Sequence, residues 1–436
     1  MSSINRKNKF AAANSVGTQV PSISAENQLR RVTLASMLYE NQFYLDGKSH
    51  AELVRDLVAR VSPEKVADLA EVARSKFKLR HIPLLLAREL ARSGRLQAQT
   101  LTNIIQRPDE MSEFLSIYWQ EGKTAVSNQI KKGLAACFHK FNEYQLAKWN
   151  KNRAAIKLRD VMFLTHPKPQ SAQQAELFKR IASDTLETPD TWEVQLSAGA
   201  DKCETFTRLI QENKLGALAF LRNLRNMTQS GVAESLIRSY GSNVDVSRVL
   251  PFRFIAAARI VPQYEDMLEQ MMFRALATVP KLPGKTVLVI DVSGSMFGTN
   301  ISAKSDLDRF DAAAALAILC REICETVEIY SFSYDAVRVA PRRGFALVEA
   351  ISASQPHGGT QLGTAMRTID SQTAYDRVIV FTDEQSYDRP QSPRGKGYLV
   401  NVASYQHGVN HSAWHEINGF SEAIIDYIQA FEESNQ

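Results

Sequence analysis

At residues 278–286, "TVPKLPGKT", the rhythm of apolar residues changes, and no single fold type serves both sides of the change. Before it, apolar positions recur at three and four: in "AELVRDLVARV", Leu53, Val54, Leu57, Val58 and Val61 paint one stripe down a helix. The same spacing runs through "SEFLSIYW", "NQIKKGLAACFHKF", "ETFTRLIQEN", "LGALAFLRNLRNM" and "YEDMLEQMMFRALATV", punctuated by Asn, Gly, Ser and Pro. After it, the strand-like runs "TVLVID" (286–291), "VEIYSFS" (327–333), "VRVA" (337–340), "RVIVFTD" (377–383) and "YLVNVAS" (398–404) alternate with helical stretches. Strands apolar on both faces and separated by helices predict a mostly parallel, doubly wound α/β sheet. Its binding crevice should lie beyond the carboxyl ends of the strands. The chain therefore reads as multidomain: a flexible tail at 1–24, an all-α domain at 25–284 and an α/β domain at 285–436. Stacked antiparallel helix pairs suit the all-α part, although no sequence period is visible.

Charge divides at the same place. Residues 1–284 hold 40 Lys and Arg against 28 Asp and Glu, a net +12, whereas residues 285–436 hold 12 against 19, a net −7. The first part suits a polyanionic partner and the second does not. No apolar run is long enough to cross a bilayer, and the basic N-terminal residues lack the apolar stretch of an export signal, so a cytoplasmic protein without membrane attachment is expected. Of four cysteines, Cys137 and Cys203 stand alone, while Cys320 and Cys324 fall four apart in an alanine-rich helical pattern; small buried thiols are expected.

Asp291, in "VLVIDVSGSM", closes a predicted strand and is followed by Ser293 and Ser295. Asp383 closes another strand, and "HGGTQLGTAM" sets Thr360 in a glycine-flanked loop before a helix. Two carboxylates and three hydroxyls at the ends of the right elements form a hard oxygen set with little charge, which suits magnesium or another divalent cation. For "DVSGS" alone a polar turn without ligand competes; Thr360 and Asp383 decide against it. A hydrolase elbow lacks its closing glycine, and no phosphate-binding Gly-x4-Gly-Lys-Ser/Thr stretch occurs. "YQHGVNHSAWHE" spaces His407, His411 and His415 by four, but Gly408 and Asn410 make a loop the expectation over a zinc-binding helix.

"IDVSGSM", "GGTQLGTAM" and "VIVFTDE" resemble the metal-ion-dependent adhesion site of von Willebrand factor A domains. The resemblance implies direct cation ligation by Ser293, Ser295 and Thr360, ligation mostly through water by Asp291 and Asp383, and an acidic side chain of a partner completing the shell.

The densest basic stretch is "KKGLAACFHKFNEYQLAKWNKNRAAIKLRDVMFLTHPKP", 131–169. It starts with Lys131 and Lys132 and continues through Lys148, Lys151, Arg153, Lys157, Arg159, His166 and Lys168, with Asp160 the one acid between Glu143 and Glu176. A helix cannot bury such groups cheaply, so they should line a surface. The alternatives are a salt-bridged solvated face and an RNA reader with Trp149 or His166 for stacking. A second cluster places Arg222 and Arg225 on one helix face, followed by Arg253 and Arg259.

"KLRDVMFLTHPKP", "LRNLRNMTQSGV" and "VLPFRFIAAARI", followed by the A domain, resemble the TROVE module of the Ro 60 kDa autoantigen family and its bacterial members. That resemblance implies a ring of HEAT-like helical repeats closed by the A domain. It further implies a monomer that binds small noncoding Y-like RNA on its outer face and takes single-stranded ends of misfolded RNA into a central hole. Arg153 and His166 would fall at the Y RNA contact, and an exoribonuclease would be tethered through the RNA. A non-catalytic RNA-binding scaffold is therefore expected. The alternatives are a metal-dependent RNA or phosphate hydrolase and an adhesion module with no RNA role.

Overall fold

The computed structural model describes residues 24–35, 47–75, 79–150, 154–247, 249, 252–277, 279–298, 307–383, 386–402, 413–418 and 423–433. Up to residue 276 the described elements are helices: α1 (Ala25–Ala35), α2 (Gly47–Val58), α3 (Pro63–Ser75), α4 (His81–Arg92), α5 (Ala98–Ile104), α6 (Pro108–Tyr118), α7 (Asn128–Cys137), α8 (Glu143–Trp149), α9 (Leu158–Thr165), α10 (Ala172–Ser183), α11 (Trp192–Ser197), α12 (Lys202–Gln211), α13 (Ala217–Gln229), α14 (Glu234–Asn243), α15 (Phe252–Ile260) and α16 (Glu265–Leu276). Their ends follow the local chemistry. Ser127, Ser171 and Asp201 cap α7, α10 and α12 by accepting from backbone N–H groups three residues on. Pro108 opens α6, whose first turn lacks intrahelical acceptors anyway.

The described residues divide into two compact units, one built from 24–35 and 47–199 and the other from Ala200 onward. In the first, the apolar stripes meet in one core that includes Leu57, Leu86, Phe114 and Phe138. Glu110 is fully buried there, and Arg74 donates to it at 2.6 Å. In the second unit, α15 and α16 pack with the α/β elements, so the change of rhythm at 278–286 is not where the packing divides.

The α/β elements are β1 (Leu282–Asp291), α17 (Arg309–Ile323), β2 (Cys324–Phe332), β3 (Ala336–Arg338), α18 (Gly344–Ser352), α19 (Leu362–Gln372), β4 (Arg377–Thr382), β5 (Lys396–Asn401), β6 (His415–Asn418) and α20 (Ala423–Glu433). The sheet order is β3-β2-β1-β4-β5-β6, parallel except for the β2–β3 pair. The chain leaves β1 to build one flank and returns beside it to build the other. The β1–β4 boundary is thus the topological switch point, where a doubly wound sheet opens its crevice.

Three local expectations change. The helix before Cys324 ends at Ile323, so Cys320 lies on α17 while Cys324 starts β2; both are buried, and desolvation raises their thiol pKa values. His415 begins strand β6, with its ring 4.2 Å from Phe431 and 5.5 Å from Tyr398, so it belongs to packing; His407 and His411 lie outside the described residues. The basic stretch 131–169 is several short helices rather than one, and the last of them, α9, ends where His166 adopts a left-handed backbone (φ 50°).

Candidate functional site

Two places gather the residues that sequence chemistry singles out. The first is the crevice at the β1–β4 boundary. Asp291 ends β1 and Asp383 follows β4, and both side chains are almost completely buried. One Asp291 oxygen accepts from the Ser293 backbone at 2.8 Å and the other from the Thr382 hydroxyl at 2.6 Å. The Ser293 and Ser295 hydroxyls are 3.3 Å apart. Thr360 arrives on a loop tied to the same turn, since the Gly294 N–H donates to the Gly358 carbonyl at 3.1 Å. Burial, reinforced by the neighbouring charge of Asp383, pushes the Asp291 carboxyl up to about 7. Two acids forced together out of water repel, and a cation between them would relieve the repulsion. Among the described residues no group of three or more His, Cys, Asp or Glu side chains is arranged to hold a metal ion. The donor set here is instead alcohols around two carboxylates, which fits a small hard cation.

Arg309, the first residue of α17, was not singled out by sequence reasoning. Its side chain is 5 % exposed, and its guanidinium donates to Asp383 at 2.9 Å and to the Ser295 carbonyl at 3.3 Å. The rim is aromatic. The Tyr334 ring lies against Gly358, where an added Cβ would stand 2.2 Å from it, and both Tyr334 and Tyr387 come close to Gly359. Both tyrosines remain exposed. Phe297 stacks on Phe310 and meets the His357 ring at a tilt, and His357 donates to the Val292 carbonyl at 2.9 Å.

The second place is a groove of about 370 Å³ in the first unit, lined on one side by Asn128, Lys131, Lys132 and His139 and on the other by the 165–168 turn with His166 and Lys168. Gln174 braces it by accepting from the Gln170 N–H at 2.7 Å while bonding the His139 ring at 3.0 Å. Other predicted contacts are drawn elsewhere. Lys157 lies 3.8 Å and Arg159 4.0 Å from Asp184, the left-handed cap of α10. Trp149 has one face covered by the Arg107 guanidinium, 3.6 Å from the ring centroid, while Lys148 is exposed beside Tyr144. Lys151 and Arg153 lie outside the described residues. Arg222 and Arg225 are exposed on α13, in the second unit, and Arg259 forks onto Asp311 of α17.

Comparison with known proteins assigns the order of modules. Residues 181–278 match the TROVE domain family and residues 286–385 the von Willebrand factor type A domain family. The chain carries a TROVE domain followed by a von Willebrand factor A domain. The fold is shared with the crystal structure of the Deinococcus radiodurans RO (RSR) protein, at 18 % identity and a TM-score of 0.71, over 95 % of this chain and all of that one. Telomerase protein component 1 of Rattus norvegicus is 29 % identical over 110 residues, and that of Mus musculus 34 % over 89 residues. These segments are 24 % and 19 % of this chain but only 4 % and 3 % of those much longer proteins. The A-domain crevice lies within the matched region, whereas the basic groove precedes the matched TROVE segment. No described helix is long and apolar enough to cross a membrane.

Proposed function

We propose that this protein is a non-catalytic, cytoplasmic RNA-binding scaffold of the Ro type. It would hold a small structured RNA of the Y class on the basic groove and single-stranded ends of misfolded RNA at a separate place, in RNA quality control or degradation. An exoribonuclease would be recruited through the RNA. The observation that carries the reading is the convergence of Lys131, Lys132, His166 and Lys168 on one groove from two separate elements. Lysines in a groove neutralise phosphates, and a ring held out on a strained left-handed residue can stack on a base. Charge reversal at Lys131, Lys132 and Lys168 together should cut affinity for a structured RNA about a hundredfold and flatten its salt dependence by about three phosphates. Filter binding against a single-stranded control of equal length measures both, and unchanged affinity would remove the groove from the interface.

In the A domain, Asp291, Ser293, Ser295, Thr360 and Asp383 would hold a divalent cation such as magnesium, which when bound offers an electrophilic centre to an anionic partner. Two carboxylates dominated by hydroxyls differ from the several carboxylates that two-metal nucleases use, which favours adhesion over hydrolysis. Magnesium at a hundred times its dissociation constant should stabilise the wild type by about 2.7 kcal/mol against unfolding, and Asp291→Ala should lose that increment. Thermal unfolding with magnesium and with chelator reads it. RNA cleavage that needs magnesium and disappears in Asp291→Ala would instead make this an enzyme.

A further inference from the structure

Among the described residues of the first unit, two large apolar side chains stand exposed, Tyr144 on α8 and Phe163 on α9. Both are aromatic, and both lie inside the basic stretch. Each has a cation one helical turn away on its own face: Lys148 four residues after Tyr144, and Arg159 four residues before Phe163. A single exposed apolar residue is ordinary. Aromatic rings set among cations are what proteins use to grip unpaired nucleotides, with the cations on phosphates and the rings against bases.

Phe163 is the better placed of the two. Its ring is 54 % exposed, whereas the Lys148 ammonium lies 5.7 Å from the Tyr144 ring centroid and the Arg107 guanidinium covers one face of Trp149. His166, three residues on, lines the groove, so the helix face that carries Phe163 leads out of the groove toward Arg159. The acids along it are engaged: Asp160 accepts from the Lys157 N–H at 2.8 Å, and Asp184 lies 3.8 Å from Lys157 and 4.0 Å from Arg159. On the reading of the groove as an RNA site, we infer that Phe163 is a stacking platform for an unpaired base beside the stem that the groove holds. The site then prefers a structured RNA with a single-stranded flank to the same stem without one. The cations around the ring favour this occupant over an apolar protein surface, because the cores of protein interfaces are depleted of charge.

The test uses hairpin RNAs that share one stem: blunt, with a short adenosine tail at either end, or with a tail of equal length whose nucleotides lack bases. In filter binding, the full-length protein should hold the adenosine tail roughly tenfold more tightly than the abasic one, within the range that one stacked base supplies. Phe163→Ala should erase that difference by weakening the adenosine-tailed hairpin alone, with its salt slope unchanged because no phosphate contact is lost. Phe163→Trp should keep the preference, and Phe163→Leu, apolar but without a π face, should lose it. A preference for bases that survives Phe163→Ala overturns the inference, as does a loss shared by the blunt hairpin, which would make the role structural. Full preference in Phe163→Leu overturns it too, since the side chain would then be a plain apolar contact of the kind a protein partner uses. Equal binding of adenosine and abasic tails by the wild type sinks the platform while leaving the groove's hold on the stem intact. A wild type that binds no hairpin at all is a different failure, because it removes the RNA reading of the groove itself.

Discussion

Raising the salt from about 50 to about 200 mM should weaken the protein's hold on a structured RNA roughly a thousandfold, the loss expected when about six phosphates are neutralised. Among the described residues of the basic stretch, Lys131, Lys132, Lys148 and Lys168 are exposed or half-exposed. Lys157 and Arg159 share Asp184, so their contribution depends on whether phosphate displaces that carboxylate. If Asp184 keeps them, about four contacts remain and the same salt step costs only about 150-fold. Asp184→Asn tests this cleanly, because asparagine tolerates the left-handed backbone found there (φ 59°) while the charge is lost. The variant should bind tighter at low salt and show a slope steeper by as much as about two phosphates. A binding constant indifferent to salt would count against the RNA reading altogether.

Truncation of Glu432 to alanine should destabilise the second unit by about 3–5 kcal/mol, the usual cost of stranding a buried charge. Arg377, at the start of β4, is 2 % exposed. Its guanidinium forks onto both Glu432 oxygens, with Nε at 2.6 Å from one, and also donates to the Pro283 carbonyl and the Thr286 hydroxyl. Tyr398 donates to the same carboxylate at 3.0 Å. Removal of the acid strands the cation and detaches α20 from β4 and β5. Burial alone would raise the Glu432 pKa, but the Arg377 hydrogen bonds and charge, helped by Lys396 and Tyr398, outweigh it and hold the carboxyl below its usual range. A depressed folded-state pKa means the pair's stabilisation is complete above the unfolded glutamate value of about 4.3 and fades as pH falls through the lower folded value. Urea unfolding at pH 7 and again near pH 3 checks both halves: the wild-type advantage over Glu432→Ala should shrink at the acid end.

How much of this could be read from the chain depends on the range of the contact. Asp291 and Asp383 declared themselves because runs buried on both faces mark parallel strands, and such strands end at the crevice. Ser293 and Ser295 follow within four residues, and Thr360 sits among glycines before a helix, all local signals. Arg309 carried none, since it meets Asp383 across 74 positions and looks in the sequence like one more charge at a helix start. Asp184 was hidden for the same reason, and the scarcity of acids around 148–168 holds along the chain but not in space. His139 and Asn128 join the groove only because α7 and the turn after α9 pack side by side. Strand β6 is four residues long, too short for an alternating pattern to stand out from its histidines.

Helices α15 and α16 belong by sequence to the TROVE side and by packing to the sheet. Glu269 of α16 accepts from the Phe345 N–H at 2.8 Å, the Arg343 guanidinium lies 4.9 Å from the Phe273 ring, and Arg259 of α15 grips Asp311 two residues after Arg309. An expression clone begun at Lys285 would therefore strip the sheet layer of a wall, lay bare an oily patch, and let go of the turn from which Arg309 reaches Asp383. The shortest soluble fragment that still reports faithfully on cation binding should begin near Ala200, eighty-odd residues upstream of the first strand.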